Sequence, residues 1–102
     1  MIDKKYLEII KKILQKSISN KSYKVFIFGS RVMGKNRKFS DIDLGILGTK
    51  PLSAKEFITI KDKFDESDLP YRVDLVDFSN VSERFKHQAL NNIINIWPKS
   101  LN

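Results

Sequence analysis

Gly29-Ser30-Arg31-Val32-Met33-Gly34-Lys35-Asn36-Arg37-Lys38-Phe39-Ser40-Asp41-Ile42-Asp43 joins two apolar runs, and both of its ends carry chemistry. The run before it, Tyr23-Lys24-Val25-Phe26-Ile27-Phe28, is aromatic and β-branched and predicts a buried strand. The run after it, Ile42 to Leu47, predicts a second strand that stops at Gly48-Thr49-Lys50-Pro51. A strand that ends in Gly-Ser at the start of a short helix exposes unpaired backbone N–H groups with the helix dipole behind them. That is an anion site, and glycine lets a phosphate approach the backbone closely. At the other end, Asp41 and Asp43 lie two residues apart. On a strand both carboxylates leave the same face, while Ile42 and Leu44 point into the core. Two adjacent carboxylates repel each other unless a cation lies between them, and hard divalent metals prefer oxygen ligands.

A third acid strengthens this pattern. Asp74 is flanked by Val73, Leu75 and Val76, and an acid in so apolar a strand is costly unless paired, hydrogen-bonded or metal-bound. If the third strand lies beside the second, three carboxylates converge next to the Gly-Ser end. Such a site suits two-metal nucleotidyl transfer. A P-loop is the competing reading, because Gly29-x4-Gly34-Lys35 also follows a strand. Against it, Asn36 stands where Ser or Thr would ligate magnesium, and no downstream strand offers an acidic partner of the required kind.

Further out, Tyr6, Ile9, Ile10, Ile13, Leu14 and Ile18 recur at helical spacing over residues 3–18, with lysines opposite. Ser53 and Glu56 form a capping box that opens a helix to about Glu66, expected to bury Ala54, Phe57, Ile58 and Phe64. Leu69-Pro70 reads as a turn and Arg72 to Val76 as the third strand. Asn80 with Glu83 is the expected cap of a last helix, whose inner stripe is Phe85, Ala89, Leu90, Ile93, Ile94 and Trp97 before Pro98 ends it. The expected order is α-β-α-β-α-β-α, the second helix being short. This is an α/β (α+β) chain with a small mixed sheet and helices packed against it.

The 102 residues are expected to form one domain. Composition excludes other classes. Apolar residues at 41% and charged residues at 30% describe a globular chain rather than a disordered one. No apolar run approaches a bilayer span, no signal-peptide core is present, and zero cysteines exclude thiolate metal sites and disulfides. A cytoplasmic location is the resulting expectation. The net charge of +7 is unevenly divided: residues 1–40 carry 11 Lys and Arg against two acids, residues 41–102 eight against ten. Fifteen of the basic residues are Lys, five of them in the first helix, so solvated faces explain the excess better than a nucleic-acid surface does. A nucleic-acid-binding module remains the weakest of three function classes, and no specific nucleic acid is expected.

The chain resembles the minimal nucleotidyltransferases of the DNA polymerase β superfamily. The residues that carry the resemblance are Gly29-Ser30-Arg31, Gly34, Ser40-Asp41-Ile42-Asp43-Leu44 and the later Val73-Asp74-Leu75. It implies a polymerase β-like nucleotidyltransferase core over 1–102. It also implies that Gly29, Ser30 and Arg31 bind the nucleotide phosphates. Asp41, Asp43 and Asp74 would be the catalytic acids and the ligands of two Mg2+ ions, with ATP as substrate. Small members resemble one half of a two-component system whose other half is a helical protein of the HEPN type. In several such pairs the partner is a toxin, and the small protein is its antitoxin, transferring AMP from ATP to a tyrosine of it. A hetero-oligomer is thus implied, with a homo-oligomer left open, and the acceptor domain is expected from another chain. The alternative is a non-catalytic nucleotide-binding subunit that neutralises or completes its partner by contact. His87 and the acidic run Asp62, Asp65, Glu66 and Asp68 are read as surface, Asp77 as a turn or cap residue, and Tyr6, Phe85 and Trp97 as core or interface.

Overall fold

A computed structural model describes residues 3–18, 23–29 and 41–97, with Trp97 by its backbone alone. The elements run α1 (Lys4–Ser17), β1 (Lys24–Phe28), β2 (Ile42–Leu47), α2 (Ala54–Asp65), β3 (Val73–Asp77), a 3-10 turn (Phe78–Asn80), α3 (Glu83–Leu90) and β4 (Ile94–Trp97). The expected short helix after Gly29-Ser30 lies outside the described residues.

Strand order is β3-β2-β1-β4. β1 pairs antiparallel with β2 and with β4, whereas β2 pairs parallel with β3. The difference follows from the connections: α2 carries the chain back across the sheet, as a parallel neighbour demands. The sheet is mixed, as expected, and has four strands rather than three.

Alternation sorts the side chains onto two faces. Val25 and Ile27 of β1, Ile42, Leu44 and Ile46 of β2 and Val73 and Leu75 of β3 join Ile10, Leu14 and Ile18 of the first helical segment in one buried cluster. Ile60 and Phe64 of α2 complete it. Each such aliphatic side chain, fully buried, stabilises the fold by about 1.5–3 kcal/mol. Tyr6 docks edge-on against Tyr71 at 5.5 Å between ring centroids, closing the rim. The opposite face holds a smaller aromatic cluster of Phe26, Phe28 and Phe78. Gly45 makes it possible, because a Cβ there would lie 2.5 Å from the Phe26 ring and 2.7 Å from that of Phe78. The Phe26 and Phe78 rings meet edge-on at 4.9 Å across the space it leaves open.

Three expectations are corrected here. α2 buries Ile60 and Phe64 and half-buries Phe57, while Ala54 is exposed and Ile58 is 56% exposed. The seam 57–60–64 has the i+3/i+4 spacing of a single stripe, which Ala54 and Ile58 do not share. α3 is capped by Ser82, whose Oγ accepts from Phe85 N at 3.1 Å, because the 3-10 turn takes up Asn80. The last helix stops at Leu90, and the chain re-enters the sheet as β4, pairing Ile94 with Ile27 and Asn95 with Phe26. Other readings stand. Ser53 and Glu56 form the full capping box, with bonds of 3.0 and 2.9 Å. His87 is exposed. Asp77 is a cap, its carboxylate accepting from Ser79 N and from Leu52 N, each at 2.9 Å. Among the described residues no helix is long and apolar enough to cross a membrane.

Candidate active site

The register of the sheet brings three of the sequence-predicted residues, Gly29, Asp43 and Asp74, together. Asp43 lies opposite Phe28 on β1 and opposite Asp74 on β3, so Gly29, Asp43 and Asp74 stand on neighbouring rungs of three adjacent strands. Asp43 and Asp74 project on the aromatic face, since Ile42, Leu44, Val73 and Leu75 occupy the other, and Gly29 follows the end of β1 beside them. Parallel neighbours are roughly 4.8 Å apart, so the two carboxylates are direct neighbours. Asp41 precedes β2 on the same parity and is exposed. Asp74 is exposed too, at a strand position whose neighbours Val73 and Leu75 are buried. Of the apolar residues that made Asp74 conspicuous in sequence, Val73 and Leu75 therefore belong to the other face, while Val76 shares its own.

Gly29 has φ +82°, the left-handed region that favours glycine. It also has no room for a side chain. A Cβ there would fall on the Asp43 carboxylate, 3.1 Å from its Cγ and closer still to Oδ2. The main chain leaving β1 thus packs against the carboxylate itself. Burial pushes the Asp43 carboxyl up from its ordinary value, and the like charges of Asp74 and Asp41 push it further. Charge held under mutual repulsion and partial burial is what a bound cation relieves.

The donor set fits a hard divalent ion such as Mg2+, being carboxylate oxygens alone. Among the described residues no three acidic or imidazole side chains are gathered closely enough to hold a metal by themselves. That also fits Mg2+, which binds through one or two carboxylates and takes the rest of its shell from water and substrate phosphate. Ser30 and Arg31, expected to hold phosphate with Gly29, lie outside the described residues, as do Gly34, Lys35, Arg37 and Lys38.

A cleft of about 550 Å3 opens at this point, between the sheet and α3. Gly29, Asp43 and Asp74 form its polar wall, and Phe28, Val76 and Phe85 an apolar one. α3 has no buried residue, which is why the cleft remains open. Gln88 and Asn92 also line it. Sequence reading passed over both; Gln88 lies on α3, on the side that carries Phe85, whereas Asn92 lies in the bend after the helix ends at Leu90.

Comparison with known proteins gives a consistent answer. Residues 8–101 match the family described as Polymerase beta, Nucleotidyltransferase. The Haemophilus influenzae protein named "Probable protein adenylyltransferase MntA" is 48% identical over 80 residues, which is 78% of this chain and 68% of that protein. A toxin–antitoxin crystal structure with AMP-PNP superposes with a TM-score of 0.74 at 28% identity, covering 92% of this chain and 74% of the other. A tri-AMPylated Shewanella oneidensis HEPN toxin in complex with MNT antitoxin gives 0.67 at 26%, covering 91% and 70%.

Proposed function

Because this chain belongs to the polymerase beta nucleotidyltransferase family, we propose that it is an Mg2+-dependent adenylyltransferase that moves AMP from ATP to a tyrosine hydroxyl of a HEPN-type helical partner, as the antitoxin of a toxin–antitoxin pair. The observation that carries this reading is the pairing of Asp43 with Asp74 beside the positive-φ Gly29, at the mouth of the cleft. The choice of acceptor is supported by what similar complexes contain: AMP-PNP in one, a tri-AMPylated HEPN toxin in the other.

In this mechanism Gly29, Ser30 and Arg31 hold the β- and γ-phosphates. Asp41 and Asp43 would hold the metal ions, and Asp74 would share one of them. Bound there, two Mg2+ ions would supply charge neutralisation for the attacking and leaving oxygens. The acceptor oxygen attacks the α-phosphorus, the α–β bridging bond breaks, and pyrophosphate leaves with its electron pair. Asp74, on the exposed side of the carboxylate pair, receives the acceptor's proton. Orientation does much of the work, since in-line attack needs the hydroxyl and the α-phosphorus held within near-attack distance.

The test is incubation of the chain and a candidate HEPN-type partner protein with α-labelled ATP and Mg2+. Label is expected on a tyrosine of the partner, and it should be lost with chelator and with Asp41→Asn plus Asp43→Asn. A partner neutralised without any label would establish the non-catalytic subunit instead. Undiminished label from the double variant would remove the carboxylates from the mechanism.

A further inference from the structure

Family and site geometry leave open what selects the nucleotide base. We infer that the α3 wall of the cleft is an adenine-recognition subsite, in which Phe85 stacks on the base while the amides of Gln88 and Asn92 read its edge. The inference rests on the nucleotidyltransferase reading above and extends it to base selectivity.

Phe85 is 41% exposed, although its ring meets that of Phe28 edge-on at 6.1 Å and that of Phe78 at 5.7 Å. Two buried rings therefore fix its orientation while it remains open to solvent. A flat apolar ring anchored in this way is a stacking platform, and stacking is indifferent to which base lies on it. Phe28, which anchors it, is the residue before Gly29. The platform thus lies directly beside the backbone assigned to the phosphates, as a nucleotide bound across the cleft requires.

Gln88 and Asn92 supply what stacking lacks. Each carries a carboxamide, a donor and an acceptor side by side, and both line the same cleft. Among the described residues neither side-chain amide has a hydrogen-bond partner. Adenine presents N6–H2 beside N7, a donor next to an acceptor, which a single carboxamide matches in two bonds. Guanine presents O6 beside N7, two acceptors, and the same amide can satisfy only one. Among the described residues no charged side chain lines this wall, where Arg or Lys would favour guanine.

Both amides are exposed, so Gln88→Ala plus Asn92→Ala leaves the core untouched. The KM and kcat of the double variant are measured with ATP and with GTP in the presence of the partner. Equilibrium binding of each nucleotide with Mg2+ is measured alongside, with inorganic tripolyphosphate as a base-free probe. The expected result is a loss of on the order of tenfold or more in the preference for ATP over GTP, carried by KM, with kcat and tripolyphosphate binding unchanged. Phe85→Ala should weaken ATP and GTP by a similar factor, about fivefold or more, and leave their ratio unchanged. A wild type without preference for ATP would overturn the inference, as would a double variant with its preference intact. A rise in KM for the partner alone would also overturn it, by assigning the wall to the acceptor. In each of those cases AMP transfer persists; failure of the nucleotidyltransferase reading itself shows as absence of transfer from any nucleotide.

Discussion

Replacing Gly29 by Ala separates the stability of the site from its chemistry. The backbone there has φ +82°, where an L-residue costs about 1–2 kcal/mol relative to glycine. For a domain of about 100 residues each kcal/mol shifts the melting midpoint by roughly 4–8 °C, so Gly29→Ala should lower it by roughly 4–16 °C. The new methyl group would also fall on the Asp43 carboxylate. To clear it, either the β1 terminus or Asp43 must move by about 1 Å. Displacement on the scale of 1 Å costs about 100-fold in rate where reacting groups must be aligned. The expected outcome is a transfer rate reduced by about two orders of magnitude at a temperature where the variant is fully folded. Thermal unfolding by circular dichroism and initial rates of AMP incorporation provide the two readouts. A variant with unchanged midpoint and unchanged rate would refute both the strained backbone and the tight packing of Gly29 on Asp43.

Two further predictions concern charge. Asp43 titrates higher in the folded chain than in the unfolded one, so its ionised form is the penalised form. The penalty is full above the folded value, fades as pH falls through it and is gone below the unfolded value near 3.8. Asp43→Asn should therefore raise the melting midpoint at neutral pH and not at about pH 3, and Mg2+ with ATP should stabilise the wild type but not this variant. Asp77→Ala removes a carboxylate that accepts two backbone N–H bonds and ties the segment before α2 to the end of β3. It should cost about 1–3 kcal/mol in urea unfolding while the folded fraction keeps its transfer rate; full stability would refute the tie.

The first three strands and the shared face of Asp43 and Asp74 were legible because their signals are short-range and agree with one another. Val25, Ile27, Ile42, Leu44 and Ile46 alternate with residues of the opposite face, and that parity places Asp43 beside Asp74 once the strands are neighbours. Nothing local specified the neighbour relation itself, which depends on α2 returning the chain across the sheet. The segment after Leu90 was misread because Phe85, Ala89, Leu90, Ile93, Ile94 and Trp97 fit a helical period. Two asparagines interrupt that helix, and Ile94-Asn95-Ile96 also has the period of a strand, with Ile96 buried and Asn95 exposed. The open edge of β1 decided between the two, a choice no window of sequence can see. Gln88 and Asn92, which line the cleft, had no sequence signature for the opposite reason: an exposed amide carries no signal until a cleft forms beside it.

The mixed pairing of the sheet has a consequence in time. The β1–β2 contact joins the ends of a single connecting segment, whereas the parallel β2–β3 pair, and with it Asp43 beside Asp74, closes only after α2 has been laid down and the chain has reversed. Pairings of long sequence separation form late and are slow. Gly29 and Asp43 can therefore meet early, but the second carboxylate joins them only when the crossover is complete. A partly folded chain would hold the first half of the site and transfer nothing. Under the proposed mechanism catalytic competence and completed folding become one event, so any condition that opens β3 from the sheet would switch the activity off in a single step.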